Sequence, residues 1–104
     1  MPEKRRHRRF EKRLEVEFSA EGQTFTGISS NFSEKGLFIR TRRVLPAGTY
    51  VDVRVFLPGG RTAHLKAIVR RAVKASTDLE KNGMGVEVIL KDDLYREFMK
   101  TLEG

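Results

Sequence analysis

The chain has no cysteine, no tryptophan and only two histidines, His7 and His64, among its 104 residues. Without thiols there is no disulfide framework and no thiol nucleophile, and the lack fits a reducing compartment, so a cytoplasmic location is expected. Two isolated imidazoles do not suggest a zinc site. No apolar run approaches the ~20 residues that a membrane-spanning helix needs. The N-terminus is charged from Glu3 onward and has no signal-peptide core, so membrane insertion is not expected. No nucleophile–base constellation or paired-carboxylate motif stands out either, and the acids are spread over several segments, so the chain is not expected to be an enzyme.

What is present suffices for one domain. Hydrophobic residues make up 38% and charged residues 34%, too apolar a mixture for a disordered chain. The net charge is +7, and its placement is more informative than its size. Lys4, Arg5, Arg6, Arg8, Arg9, Lys12 and Arg13 stand against one acid, Glu11, so residues 4–13 contribute +6 and the rest of the chain +1. A cationic end on a nearly neutral body points to an anionic partner engaged at that end.

Residues 1–11 show no apolar periodicity and read as a flexible basic arm; residues 12–104 read as a single domain. Leu14, Val16 and Phe18 alternate with Glu15 and Glu17, as in a half-buried strand. Ala20-Glu21-Gly22 reads as a turn, and Thr24 to Ser29 as a second strand. A third runs from Gly36 to Thr41, closed by Pro46-Ala47-Gly48. Tyr50 to Leu57 alternates again, with Val51, Val53, Val55 and Leu57 inward. Pro58-Gly59-Gly60 turns the chain into a longer strand, Arg61 to Val73. After a polar loop at 75–82, Gly83 to Ile89 gives a sixth strand. Asp92 or Asp93 can cap a final helix, about 92–102, whose Leu94, Tyr95, Phe98, Met99 and Leu102 have helical spacing and read as packing onto the sheet. The expected fold is all-β with a C-terminal helix: a six-stranded antiparallel Greek-key barrel.

Two short motifs carry the functional signal. The first is Arg5-x-x-x-Arg9 in the arm. Arg9-x-x-x-Arg13 has the same spacing, but Arg13 abuts the first alternating strand, so the first register is preferred. The second is Asn31-x-Ser33-x-x-Gly36, which by itself also describes an ordinary Asx-type turn before a strand. In this order, on six strands and a terminal helix, the two motifs resemble the PilZ domain, the bacterial receptor module for cyclic di-GMP. Gly36-Leu37-Phe38-Ile39, Leu45-Pro46-Ala47-Gly48 and Met84-Gly85-Val86-Glu87-Val88 extend the resemblance over essentially the whole chain. Arg8 departs from it, standing where many members have proline.

The resemblance implies a ligand site made of Arg5, Arg9, Asn31, Ser33 and Gly36, with Lys4, Arg6 and Arg8 as secondary contacts. The residue types suit a ring with two phosphates and two guanines. An arginine fork matches a phosphate or a guanine O6/N7 edge and can stack on a purine, which lysine does not reproduce. In an extended segment, positions i and i+4 face the same way. Asn31 can both donate to and accept from a base edge, and Ser33 can bond a phosphate or an exocyclic group. Gly36 fits a backbone conformation, or a close approach, that a Cβ would block. No cofactor is expected beyond the nucleotide, and an unidentified protein effector would be reached in trans.

Two other readings stand beside this one. One is a basic barrel binding nucleic acid, with Arg40, Arg42, Arg43, Arg70 and Arg71 as further charge and only Phe25, Phe32 and Phe56 as scattered stacking candidates. The other is a PilZ-fold interaction adaptor that does not bind the nucleotide.

Overall fold

The computed structural model describes residues 12–74 and 81–103. Six strands precede one helix: β1 (Leu14–Ala20), β2 (Gln23–Ser30), β3 (Gly36–Arg40), β4 (Tyr50–Leu57), β5 (Arg61–Val73), β6 (Gly83–Lys91) and α1 (Asp93–Glu103). All pairings are antiparallel, and the strands close into a barrel in the order β1-β2-β3-β6-β5-β4. Strands β1 to β3 follow one another by short turns, and β4 returns to lie beside β1, which is the Greek-key arrangement. Closure gives every strand a hydrogen-bonded neighbour on each side, although β2 meets β3 only over Ile28 to Ser30.

The alternation in sequence becomes the inside and outside of this barrel. Val51, Val53, Val55 and Leu57 are buried, as are Val16, Phe18, Leu65, Ala67 and Val69. The expected turn at Ala20 is shorter than the sequence suggests, because Ala20 still pairs with Gln23. Glu21 (φ 53°) and Gly22 (φ 80°) alone make the connection. Two central residues with positive φ form the hairpin turn whose twist matches the flanking strands.

The helix begins where Asp92 caps it: its carboxylate accepts from the Tyr95 amide at 2.9 Å, and its second oxygen accepts from the His64 amide at 2.8 Å. Tyr95, Phe98 and Met99 then face the core, with Leu94 and Leu102 packed at its margin. The helical stripe therefore packs onto the barrel, as the spacing predicts. It also reaches the turn between β2 and β3.

Candidate functional site

Residues 31–35 join β2 to β3 and contain most of the Asn-x-Ser-x-x-Gly motif. Asn31 opens the turn in the left-handed region, at φ 55°. Asparagine is among the few residues with a side chain that adopts it readily. Ser33 closes the turn on Gly36 three times over. Its amide donates to the Gly36 carbonyl at 2.9 Å. Its hydroxyl donates to that carbonyl and accepts from the Gly36 amide, both at 3.1 Å. A hydroxyl has one donor and two acceptor lone pairs, so Ser33, which is only 7% exposed, keeps one acceptor position. Without breaking the turn it can accept from a ligand N–H; donating to a phosphate oxygen would mean releasing Gly36.

Gly36 itself is required by proximity. A Cβ at this position would strike the Val86 carbonyl oxygen across the β3–β6 pairing. Of the two reasons the sequence offers for this glycine, close approach is the one the structure supplies.

The turn is anchored from beneath. Phe32 is fully buried and meets Phe98 of α1 edge to face, with ring centres 5.4 Å apart. The Tyr95 hydroxyl donates to the Ser33 carbonyl at 2.9 Å in a buried setting. Burial first, and the charge of Glu34 second, push the Tyr95 phenol well above its ordinary pKa. The Val88 amide donates to the Lys35 carbonyl at 2.7 Å, and the Lys91 ammonium donates to the Glu34 carbonyl at 3.0 Å. Phe32 is thus a core residue and no candidate for stacking on a base. This corrects its inclusion among the platform aromatics.

Two cavities flank Asn31. One, of about 300 Å³, is lined by Asn31, Ser33, Lys35, Gly36, Leu37 and Phe38 from one side and by Arg70, Arg71, Gly85, Val86 and Glu87 from the other. The second, of about 370 Å³, is lined by Lys12, Arg13, Ser30, Asn31 and Arg40. Cations thus stand on both sides of the turn, and among the described residues Glu87 is the one acid in either wall, tied to Arg70 at 2.6 Å. The structure brings Asn31, Ser33 and Gly36 together in the wall of one cavity. Arg5 and Arg9, with Lys4, Arg6 and Arg8, lie outside the described residues.

Sequence reasoning gave no site role to Lys35, Gly85 or Glu87, and counted Arg70 and Arg71 only as further charge in the nucleic-acid reading. The available signal was a consecutive Arg70-Arg71 pair at the end of an apolar strand and a glycine inside the facing one. Neither has meaning until β5 and β6 are known to be neighbours.

Among curated proteins none matches the chain. Solved structures that share its fold include the following two. The Bacillus subtilis inhibitor of motility MotI/DgrA superposes with a TM-score of 0.75 at 21% identity, over 97% of this chain and 50% of that one. The chain thus spans half the length of that protein. The PilZ domain of CeSA from a cellulose-synthesizing bacterium superposes with a TM-score of 0.64 at 22% identity, over 92% of this chain and 95% of that one. The PilZ domain profile matches residues 3–100, from within the basic leader to the last turn of α1. With that match over nearly its whole length, the chain belongs to the PilZ domain family.

Proposed function

We propose that this domain binds cyclic di-GMP between its basic arm and the Asn31–Gly36 turn, and signals by ordering the arm over the barrel. The carrying observation is the shared position of Asn31, which lines a cavity with Ser33 and a second cavity with Lys12 and Arg13, the residues through which the arm joins the barrel. Chain geometry does the rest. At ~3.6 Å per residue, the Cα of Arg9 lies within about 11 Å of that of Lys12, and the Cα of Arg5 within about 25 Å. Both arginines are therefore within reach of the cationic rim of the turn.

In this reading Arg5 and Arg9 fork onto phosphate or guanine. Asn31 meets a base edge, Ser33 accepts from a guanine N–H, and Gly36 shapes the turn. Lys4, Arg6 and Arg8 add secondary contacts. Neutralising the arm with a doubly charged ligand removes its self-repulsion and creates a new surface for a protein partner in trans. The site is one of binding and carries no catalytic step. Of the structural neighbours, one is an inhibitor of motility and the other comes from a cellulose-synthesizing bacterium. Motility and polysaccharide production are accordingly the two outputs to test first, with the domain acting in the cytoplasm.

The deciding experiment is titration calorimetry with cyclic di-GMP, cyclic di-AMP, GTP and GMP. Selective binding of the first is expected. A charge-assisted contact contributes about 1.5–3 kcal/mol, so Arg5→Ala or Arg9→Ala weakens it roughly ten- to a hundredfold. Equal or absent affinity across the four nucleotides overturns the proposal. Burial of Phe32 weakens the nucleic-acid reading, since of its three candidate aromatics only Phe25 and Phe56 reach the surface.

A further inference from the structure

We propose that Arg71, beside an Arg70 fixed by Glu87, is a strand-borne guanidinium that contacts a guanine of the bound nucleotide and selects guanine over adenine. The inference rests on the reading above and adds residues that lie outside both of its motifs.

It begins with a break in strand register. Val69 pairs with Val86 and Arg71 with Gly85, so Arg70 is an extra residue in β5. In a regular strand, consecutive side chains point to opposite faces; a bulge suspends that rule locally. Here both Arg70 and Arg71 are exposed, and both line the cavity that holds Asn31 and Ser33. An unbulged β5 would send one of the two to the opposite face.

The two arginines are not equivalent. The Nε of Arg70 donates to Glu87 at 2.6 Å. Both partners are well exposed, so the pair adds little to stability and its effect is to orient Arg70. Arg71 has no ion pair among the described residues and faces Gly85, which has no side chain. A Cβ placed on Gly85 would stand 3.9 Å from that of Arg71, at ordinary contact distance, so the glycine is not forced by packing there. What it does is keep the space beside Arg71 open.

Leu37, Phe38 and Val86 add apolar wall to the same cavity. A flat ring lying on that wall offers its edge or face to a guanidinium. Guanine presents O6 and N7 as two acceptors to the fork, whereas adenine replaces O6 with an amino donor. A lysine supplies the charge but neither the fork nor the stacking plane.

The test compares wild type, Arg71→Ala, Arg71→Lys and Arg9→Ala by calorimetry against cyclic di-GMP and cyclic di-AMP. Melting temperatures are measured without ligand. Expected are a ten- to hundredfold loss of cyclic di-GMP affinity in Arg71→Ala, little recovery in Arg71→Lys, and a smaller guanine-over-adenine ratio in both. The unliganded melting temperature is expected to stay unchanged, because Arg71 is exposed. If Arg9→Ala loses affinity while Arg71→Ala binds like wild type, the role of Arg71 is refuted and the parent reading survives. Full rescue by Arg71→Lys refutes the fork. If wild type itself does not bind cyclic di-GMP, both fall.

Discussion

Replacing Tyr95 by phenylalanine keeps the ring and deletes one oxygen, and the structure says what that oxygen does. It donates at 2.9 Å to the carbonyl of Ser33, inside the core. Without it that carbonyl is left buried and short of a partner, at a cost of about 1–3 kcal/mol. For a domain of this size each kcal/mol lowers the melting temperature by roughly 4–8 °C, so scanning calorimetry should record a fall of at least about 4 °C. A second signature is alkaline. Burial, assisted by Glu34, raises the native Tyr95 phenol above its ordinary value of 10.0. Above that pH the unfolded chain has lost a proton that the native state retains. The stabilisation is therefore complete below pH ~10 and declines above it by about 1.4 kcal/mol per pH unit. Tyr95→Phe should flatten that decline. Because the carbonyl belongs to the turn, nucleotide affinity should also fall more than in Val53→Ala, a core truncation on β4, which pairs with neither β2 nor β3. A variant that melts with wild type and keeps its alkaline slope would refute the anchoring argument.

Gly36→Ala should be the most damaging change in the turn. Its methyl meets the Val86 carbonyl oxygen, and relieving such overpacking costs about 1–3 kcal/mol, read as a lower denaturation midpoint in urea. Asn31→Gly preserves the left-handed backbone and removes the amide, so it should melt near wild type and yet bind the nucleotide more weakly in calorimetry. Asn31→Ala should add a backbone cost of about 1–2 kcal/mol to the same loss of binding. Raising the salt concentration should weaken nucleotide binding only gently; a steep logarithmic slope in the same titration would indicate a polyanionic partner instead.

The barrel was largely legible because its strands obey a period of two. Val51, Val53, Val55 and Leu57 were assigned inward and all four are buried. The ends of elements were less so: β2 and β6 run to Ser30 and Lys91, past Ser29 and Ile89, because Ser30 still pairs with Phe38 and Lys91 with Leu65. The walls of the site were hidden for a different reason. Arg70 and Arg71 enter one cavity only because a bulge cancels their alternation, and a bulge depends on the partner strand, which local sequence does not identify. Phe32 misled in the same way, since a lone aromatic between polar residues looks exposed until Phe98 is placed beneath it.

The motif itself divides along physical lines. Gly36 is demanded by the β3–β6 approach, and the Ser33 hydroxyl has its donor and one acceptor position engaged with Gly36. Two of the three motif residues are thus sufficiently explained by folding, and they would be required in a barrel of this shape whether or not it met a nucleotide. Asn31 is different. Its backbone needs only a residue tolerant of positive φ, which glycine would satisfy, yet an amide stands there between two cation-rimmed cavities. Competence for the ligand is therefore better judged from Asn31, the arm arginines and the Arg70–Arg71 bulge than from the intactness of the hexapeptide. A chain with Ser33 and Gly36 but without those cations would keep the turn and lose the reason for an anion to sit on it.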